Sequence, residues 1–244
     1  MSNRKEGDSM SSSTIEINTK SDGALSQEDW SEHWSTDKQQ SPAQRFFSFY
    51  RKAVFARTVC YFFDRYFPDR GVFVEAGSGT SETSFRISKN SGGRVLVATD
   101  IVHAVLKHCH PIMDDRVCGD IFNLPYADDS VDGIWNVGVM EHFTQNQIDR
   151  IMGEFYRVLK PGHRLILLIP GKDSVPQKML RVVEKIVNAR REVKNFRFHP
   201  PEISQISSMK QARELLNRNN FDCLHIDYGW RSLMAFKTLV GVKN

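Results

Sequence analysis

No two cysteines in this chain stand as a C-x-x-C pair. The four present, Cys60, Cys109, Cys118 and Cys223, are scattered through 244 residues, which excludes a dense disulfide framework and the common zinc spacings and fits reduced thiols. No apolar run approaches the roughly 20 residues that a membrane-crossing helix needs. The N-terminus, MSNRKEGDSMSSSTIEINTKSDG, lacks the apolar centre of a secretion signal. Neither sign of charge dominates: 33 basic against 29 acidic residues leaves +4, a mild bias toward acidic partners and no specific nucleic-acid signal. Internal repeats are also lacking. These absences imply a cytoplasmic protein without a transmembrane segment, and 40% hydrophobic with 25% charged residues is ordinary for a globular one.

What is there is ordered unevenly. Residues 1–26 are Ser-rich and free of aromatics, so a disordered polar leader is expected, followed by a single domain over 27–244. Within it, 27–70 reads as an N-terminal helical cap. From Pro42 to Phe67 the residues Phe46, Phe47, Tyr50, Val54, Val59, Phe62, Phe63 and Tyr66 recur at three- and four-residue steps. Short apolar runs then alternate with helical stretches. Strands are expected at 72–76, 94–99, 116–119, 131–138 and 163–169, and helices at 80–90, 101–108 and 144–159, with Pro161-Gly162 turning the last helix into its strand. The alternation predicts an α/β fold, a Rossmann-like doubly wound sheet, mostly parallel, with helices on both faces. After a helix near 207–219, FDCLHIDYGW and LMAFKTLVGV are two strands with a link too short for a crossover, so the C-terminal strand should run antiparallel.

The stretch VFVEAGSGTSE, residues 72–82, joins the first strand to a glycine turn. A dinucleotide site would need Gly-x-Gly-x-x-Gly; Gly77 and Gly79 are present, but Glu82 holds the third place. Glu75 also sets a carboxylate where a pyrophosphate would be repelled and an ammonium group favoured. Asp100 closes the second strand, suited to accept the hydroxyls of a ribose. Asp120 ends the third; its carboxylate can accept from an adenine amino group while the Ile121 amide serves a ring nitrogen. An ammonium, a ribose and an adenine without a phosphate describe S-adenosylmethionine.

On these residues the chain resembles the class I S-adenosylmethionine-dependent methyltransferases, in particular the small-molecule branch that includes quinone-biosynthesis enzymes. The likeness runs from about Gly71 to Gly171, and EFYRVLKPGHRLILLIP looks like that branch's helix, Pro-Gly turn and fifth strand. It implies that Glu75, Ala76, Gly77, Ser78 and Gly79 hold the methionine portion largely through backbone groups. It also implies Asp100 with Ile101 at the ribose, Asp120 with Ile121 at the adenine, and the Asn136-Val137 backbone at the methionyl end. Ser81 stands where many members have a third glycine.

Methyl transfer from a sulfonium is an in-line displacement, so alignment carries most of the catalysis and a general base is optional. Glu141 and His142, just after the fourth strand, are the candidate catalytic groups; the alternative is that His142 packs beneath the loop. His103, His108, Cys109 and His110 invite a metal reading, but His108, Cys109 and His110 cannot all share one helix face and no carboxylate or C-x-x-C partner has ligand spacing, so no metal site is expected. Residues 170–206 form an insertion longer than a link requires. Its apolar stripe and basic surface suggest a substrate lid, a membrane-facing surface, or a solvated helix on the sheet edge. Trp34, Phe196, Phe198 and His199 are candidate pocket residues. The expected partner is a small-molecule acceptor, acidic or lipid-like. No Pro-Pro-aromatic run follows the fourth strand and no Pro-Cys pair occurs, which argues against nucleic-acid amino and cytosine-C5 methylation. A catalytically silent binding subunit, a protein or RNA methyltransferase using the basic insertion, and a dinucleotide oxidoreductase remain as alternatives.

Overall fold

A computed structural model describes residues 51–89, 92–170, 188–189, 203–204, 206, 208–229 and 236–244, together with 28, 30 and 31. The expected leader over 1–26 and most of the insertion over 170–206 lie outside these residues. A π-helical turn at Arg51–Phe55 leads into α1, Ala56–Tyr66. The strands β1 (Gly71–Ala76), β2 (Arg94–Asp100), β3 (Asp115–Cys118), β4 (Val131–Val137) and β5 (Leu159–Pro170) follow. Between them stand α2 (His103–Leu106) and α3 (Gln145–Val158), and the C-terminal part adds α4 (Met209–Arg218), β6 (Phe221–Asp227) and β7 (Phe236–Lys243).

The seven strands form one sheet in the order β3-β2-β1-β4-β5-β7-β6. All pairings are parallel except those of β7, which runs antiparallel to both β5 and β6. The expected mostly parallel sheet with one reversed C-terminal strand is therefore present. The central strands are apolar on both faces because both are covered. Val74, Ile134, Leu165, Leu167 and Leu239 share one core with α3 and α4. Their neighbours Phe73, Trp135, Ile166, Leu168 and Val240 share the other with α1 and the α2 region. On α3 the buried residues Ile148, Ile151, Met152, Phe155 and Val158 fall at helical spacing on one side.

Three expectations are corrected. Of the predicted helix over 80–90, none forms among the described residues 80–89. The chain instead makes successive three-residue turns, with Ser81 N donating to Ser78 O, Ser84 N to Ser81 O and Ile87 N to Ser84 O. The stretch TSETS is rich in hydroxyl side chains that compete for backbone groups, and Ser81 takes a left-handed φ of 53° that no α-helix tolerates. The predicted helix at 101–108 shrinks to the single turn of α2. Finally, Pro161-Gly162 does not separate α3 from its strand. Leu159 already pairs with Val131, and the Pro-Gly turn bulges out before pairing resumes at Gly133–Arg164.

Candidate cofactor and active site

Strand order reverses between β1 and β4, and β1–β4 pairing lasts only from Phe73–Gly133 to Glu75–Trp135. One step further the Asn136 amide reaches across to the Ala76 carbonyl, Nδ2 to O 2.6 Å. Such a switch point, at the carboxyl ends of the strands, opens the crevice where this architecture binds ligands. The stretch 76–79 turns there. Gly77 and Gly79 have φ of 67° and 51°, and a Cβ on Gly77 would stand 2.8 Å from Val139 Cγ2. Both glycines are thus required by conformation, and Gly77 by the approach of the β4 end as well.

The loop's amides are already spoken for. Gly77 and Ser78 both donate to the Thr99 carbonyl, at 2.9 and 3.0 Å, and Ser81 donates to Ser78. Gly79 N donates to Asp100 Oδ2 at 2.8 Å. A phosphate cradle needs free N–H groups and the start of a helix, and this turn offers neither at those four positions.

Beneath the loop, Glu75 is 2% exposed. Its Oε1 accepts from Ser84 Oγ at 2.9 Å, and that hydroxyl accepts from the Trp135 indole at 3.2 Å. Oε2 has no hydrogen-bond partner among the described residues. Burial pushes the carboxyl's pKa up to about 7, against the nearby Ser81, Ser84 and Trp135 donors and with some help from the Asp100 charge. The sequence placed Glu75 at the mouth of the loop; the fold sets its carboxyl under it. Asp100 is pinned twice, Oδ2 on the Gly79 amide and Oδ1 on the Val102 amide at 2.9 Å. Burial raises its pKa too, opposed by those amides. Each Asp100 oxygen keeps a second lone pair for a ligand, and Ile101 follows directly at the strand end. Asp120 and Ile121 lie half-buried in the loop after β3, where Asp120 Oδ1 accepts from the Phe122 amide at 2.9 Å.

At the end of β4, Asn136 is fully buried, its Oδ1 without a partner among the described residues, while Val137 is half-buried. A 3-10 turn, Met140–His142, follows. Glu141 and His142 are both buried there, with His142 Nε2 3.9 Å from Glu141 Oε1 and Trp30 edge-on to the imidazole at 5.1 Å between ring centroids. The Glu141 carbonyl accepts from the Ile203 and Ser204 amides, and Ser204 Oγ donates to the Phe143 carbonyl. Segments from before the sheet and from the end of the insertion thus meet on this turn. Trp34, Phe196, Phe198 and His199 lie outside the described residues. Sequence reasoning missed Ser84 and Trp135, the partners of Glu75, and also Phe55 and Phe236, which stack edge-to-face at 4.5 Å beside Gly138. The spacing Ser81-x-x-Ser84 beside an acid was a readable signal for the first; nothing local pointed to the second pair.

A doubly wound sheet with its last strand reversed between the fifth and sixth, an acid-glycine loop at the switch point, an acid at the end of β2 and another in the loop after β3 is the class I methyltransferase architecture. Residues 74–167 match the family model described as a methyltransferase domain, and over this part the chain is similar to that family. It is 33% identical over 130 residues to the biotin biosynthesis bifunctional protein BioHC of Cellvibrio japonicus, covering 51% of this chain and 25% of that one. It is 30% identical over 109 residues to the ubiquinone/menaquinone biosynthesis C-methyltransferase UbiE of Cereibacter sphaeroides, covering 39% and 40%. Against these and other curated relatives the chain spans between 20 and 51% of their length. Magnesium protoporphyrin IX methyltransferase of Synechocystis, solved with S-adenosylhomocysteine bound, superposes with a TM-score of 0.58 at 15% identity. That match covers 88% of this chain and 93% of that one, a likeness of fold. No helix among the described residues is long and apolar enough to cross a membrane.

Proposed function

We propose that this chain transfers a methyl group from S-adenosylmethionine to a small-molecule acceptor, acidic or lipid-like, by in-line displacement. The observation that carries the reading is the glycine turn, whose amides at 77, 78, 79 and 81 are satisfied internally while two carboxyl groups, Glu75 and Asp100, are buried against it. The site therefore repels phosphate and suits a cationic, phosphate-free ligand. Residues 75–79 would hold the methionine end, Asp100 the ribose, and Asp120 with Ile121 the adenine. Bound there, S-adenosylmethionine supplies an electrophilic methyl group on a positively charged sulfur. The protein's own task is alignment, worth roughly 7–11 kcal/mol of barrier. His142 and Glu141 are the groups at the β4 end able to take a proton from an acceptor. The names of the biotin- and quinone-pathway relatives, together with the basic residues of the insertion, support an acidic or lipid-like acceptor. Four free cysteines support a reducing, cytoplasmic setting.

Calorimetry is expected to show binding of S-adenosylhomocysteine and none of NAD; the opposite pattern would overturn the assignment. Labelled-methyl transfer across a panel of carboxylate and isoprenoid metabolites then identifies the acceptor. Cofactor binding without turnover on any acceptor would instead favour a binding subunit.

A further inference from the structure

Two side chains on α3, far from the glycine turn in sequence, reach the loop that follows β3. Glu154 and Arg157 form a fork: Arg157 Nε donates to Glu154 Oε1 at 2.9 Å and Nη2 to Oε2 at 2.7 Å. The pair does not end on itself. Glu154 Oε2 also accepts from the Leu124 amide at 2.8 Å, and Arg157 Nη2 donates to the Leu124 carbonyl at 3.0 Å. Arg157 Nη1 donates to the Tyr126 carbonyl and to Asp128 Oδ1, each at 2.8 Å. Both backbone polar groups of one residue are therefore gripped by side chains one helical turn apart, and a third by the same guanidinium. Charge-assisted, bidentate bonds of this kind set geometry more tightly than neutral ones.

The gripped loop leads back to the expected adenine pair. Leu124 is buried in the core, three residues after Ile121 and four after Asp120. The intervening chain is a closed turn, with Asn123 N donating to Asp120 O at 3.0 Å. On the far side, the Tyr126 hydroxyl meets Thr99 Oγ1 at 2.5 Å, on the strand that ends in Asp100. The α3 fork, the β3 loop and the β2 end thus form one connected frame, and the two acids proposed to read ribose and adenine stand on it.

We propose that Glu154 and Arg157 are positioning residues for the adenine end of the cofactor: by holding Leu124 and Tyr126 they set the distance between Asp120-Ile121 and Asp100. The proposal rests on the S-adenosylmethionine reading above. The fork acts through the backbone of the loop, so its loss weakens recognition of the base rather than the alignment of the methyl group.

The test uses the full chain and its variants Arg157→Lys, Glu154→Gln and Glu154→Ala. Calorimetry gives the affinity for S-adenosylhomocysteine and for its inosine analogue, in which a carbonyl replaces the adenine amino group. Wild type should prefer the adenine form. In Arg157→Lys, which keeps the charge and loses the fork, S-adenosylhomocysteine should bind about tenfold more weakly. The preference for adenine over hypoxanthine should shrink toward one. Glu154→Gln retains an acceptor for the Leu124 amide and should fall between wild type and Glu154→Ala. Amide hydrogen exchange at 120–126 in ligand-free protein should rise in the same order. Unchanged discrimination in correctly folded Arg157→Lys, with wild type binding S-adenosylhomocysteine, would overturn the proposal alone. Wild type that binds no S-adenosylhomocysteine would overturn it together with the cofactor reading. If the α3 variants do not fold, Tyr126→Phe cuts the same frame at its link to Thr99, and unchanged discrimination there is equally fatal.

Discussion

Glu75 sits in the sheet with one carboxyl oxygen on Ser84 and the other without a partner among the described residues. Its folded-state pKa, about 7, lies above the 4.5 of an ordinary glutamate because burial penalises the charged form. Between those values the native state binds more proton than the unfolded chain. Stability contributed by this group is therefore highest below pH 4.5, falls as pH rises to about 7, and is level above that. Glu75→Gln keeps the shape and an acceptor for Ser84 and removes the titration. Urea midpoints at pH 5 and pH 8 should separate more in wild type than in the variant. Equal separations would mean that the slope comes from elsewhere.

Two glycines in different elements have opposite expected consequences. Gly77 lies in the turn with φ of 67°, and an added Cβ would meet Val139 at 2.8 Å. Gly77→Ala incurs the left-handed penalty of about 1–2 kcal/mol, and the clash would displace the β4 end. A lower melting temperature and S-adenosylhomocysteine binding weakened more than tenfold are expected. Gly153 lies inside α3 on its exposed side, with nothing within 4 Å of an added Cβ. Gly153→Ala should stabilise by about 0.5–1 kcal/mol through helix propensity and leave binding unchanged. Thermal melts and calorimetry on both variants check the contrast. The same scale explains why 80–89 departs from the expected helix: the hydroxyls of Ser81 and Ser84 are engaged with Cys109, Glu75 and Trp135, not left idle on a helix surface.

Across the whole molecule, the antiparallel β7 closes the sheet by sliding between β5 and β6, and its two ends do different work. Phe236 pairs with Pro170 at the carboxyl end of β5, near Gly138 and the site. Gly241 pairs with Leu165 at the other end, where a Cβ would stand 2.9 Å from Leu216 and 3.0 Å from Phe221. Gly241→Ala should therefore cost about 1–3 kcal/mol by overpacking α4 against the sheet. The affinity for S-adenosylhomocysteine should stay within twofold of wild type, since the strain lies away from the strand ends proposed to bind it. Denaturant unfolding paired with calorimetry would expose a coupling between the two ends if affinity fell as well.

The strand pattern, the doubly wound class and the reversed last strand were legible in the sequence because runs such as RLILLI and VFVEA carry the period and apolarity of covered strands. Glu75 and Asp100 stood out because each stands at or beside the end of such a run, whereas Asp120 lies two residues beyond β3, in the loop that follows it. Local sequence also determined that the glycine turn is not a dinucleotide loop, since Glu82 replaces the third glycine. Only the tertiary structure decided that Glu75 lies beneath the turn, that Asp100 holds the Gly79 amide, and that Glu154 and Arg157 reach the loop after β3. The reason is physical. A strand's period is written in consecutive side chains, whereas a buried carboxyl's partner or a helix's grip on a distant loop depends on which backbone groups the packed sheet leaves within 3 Å.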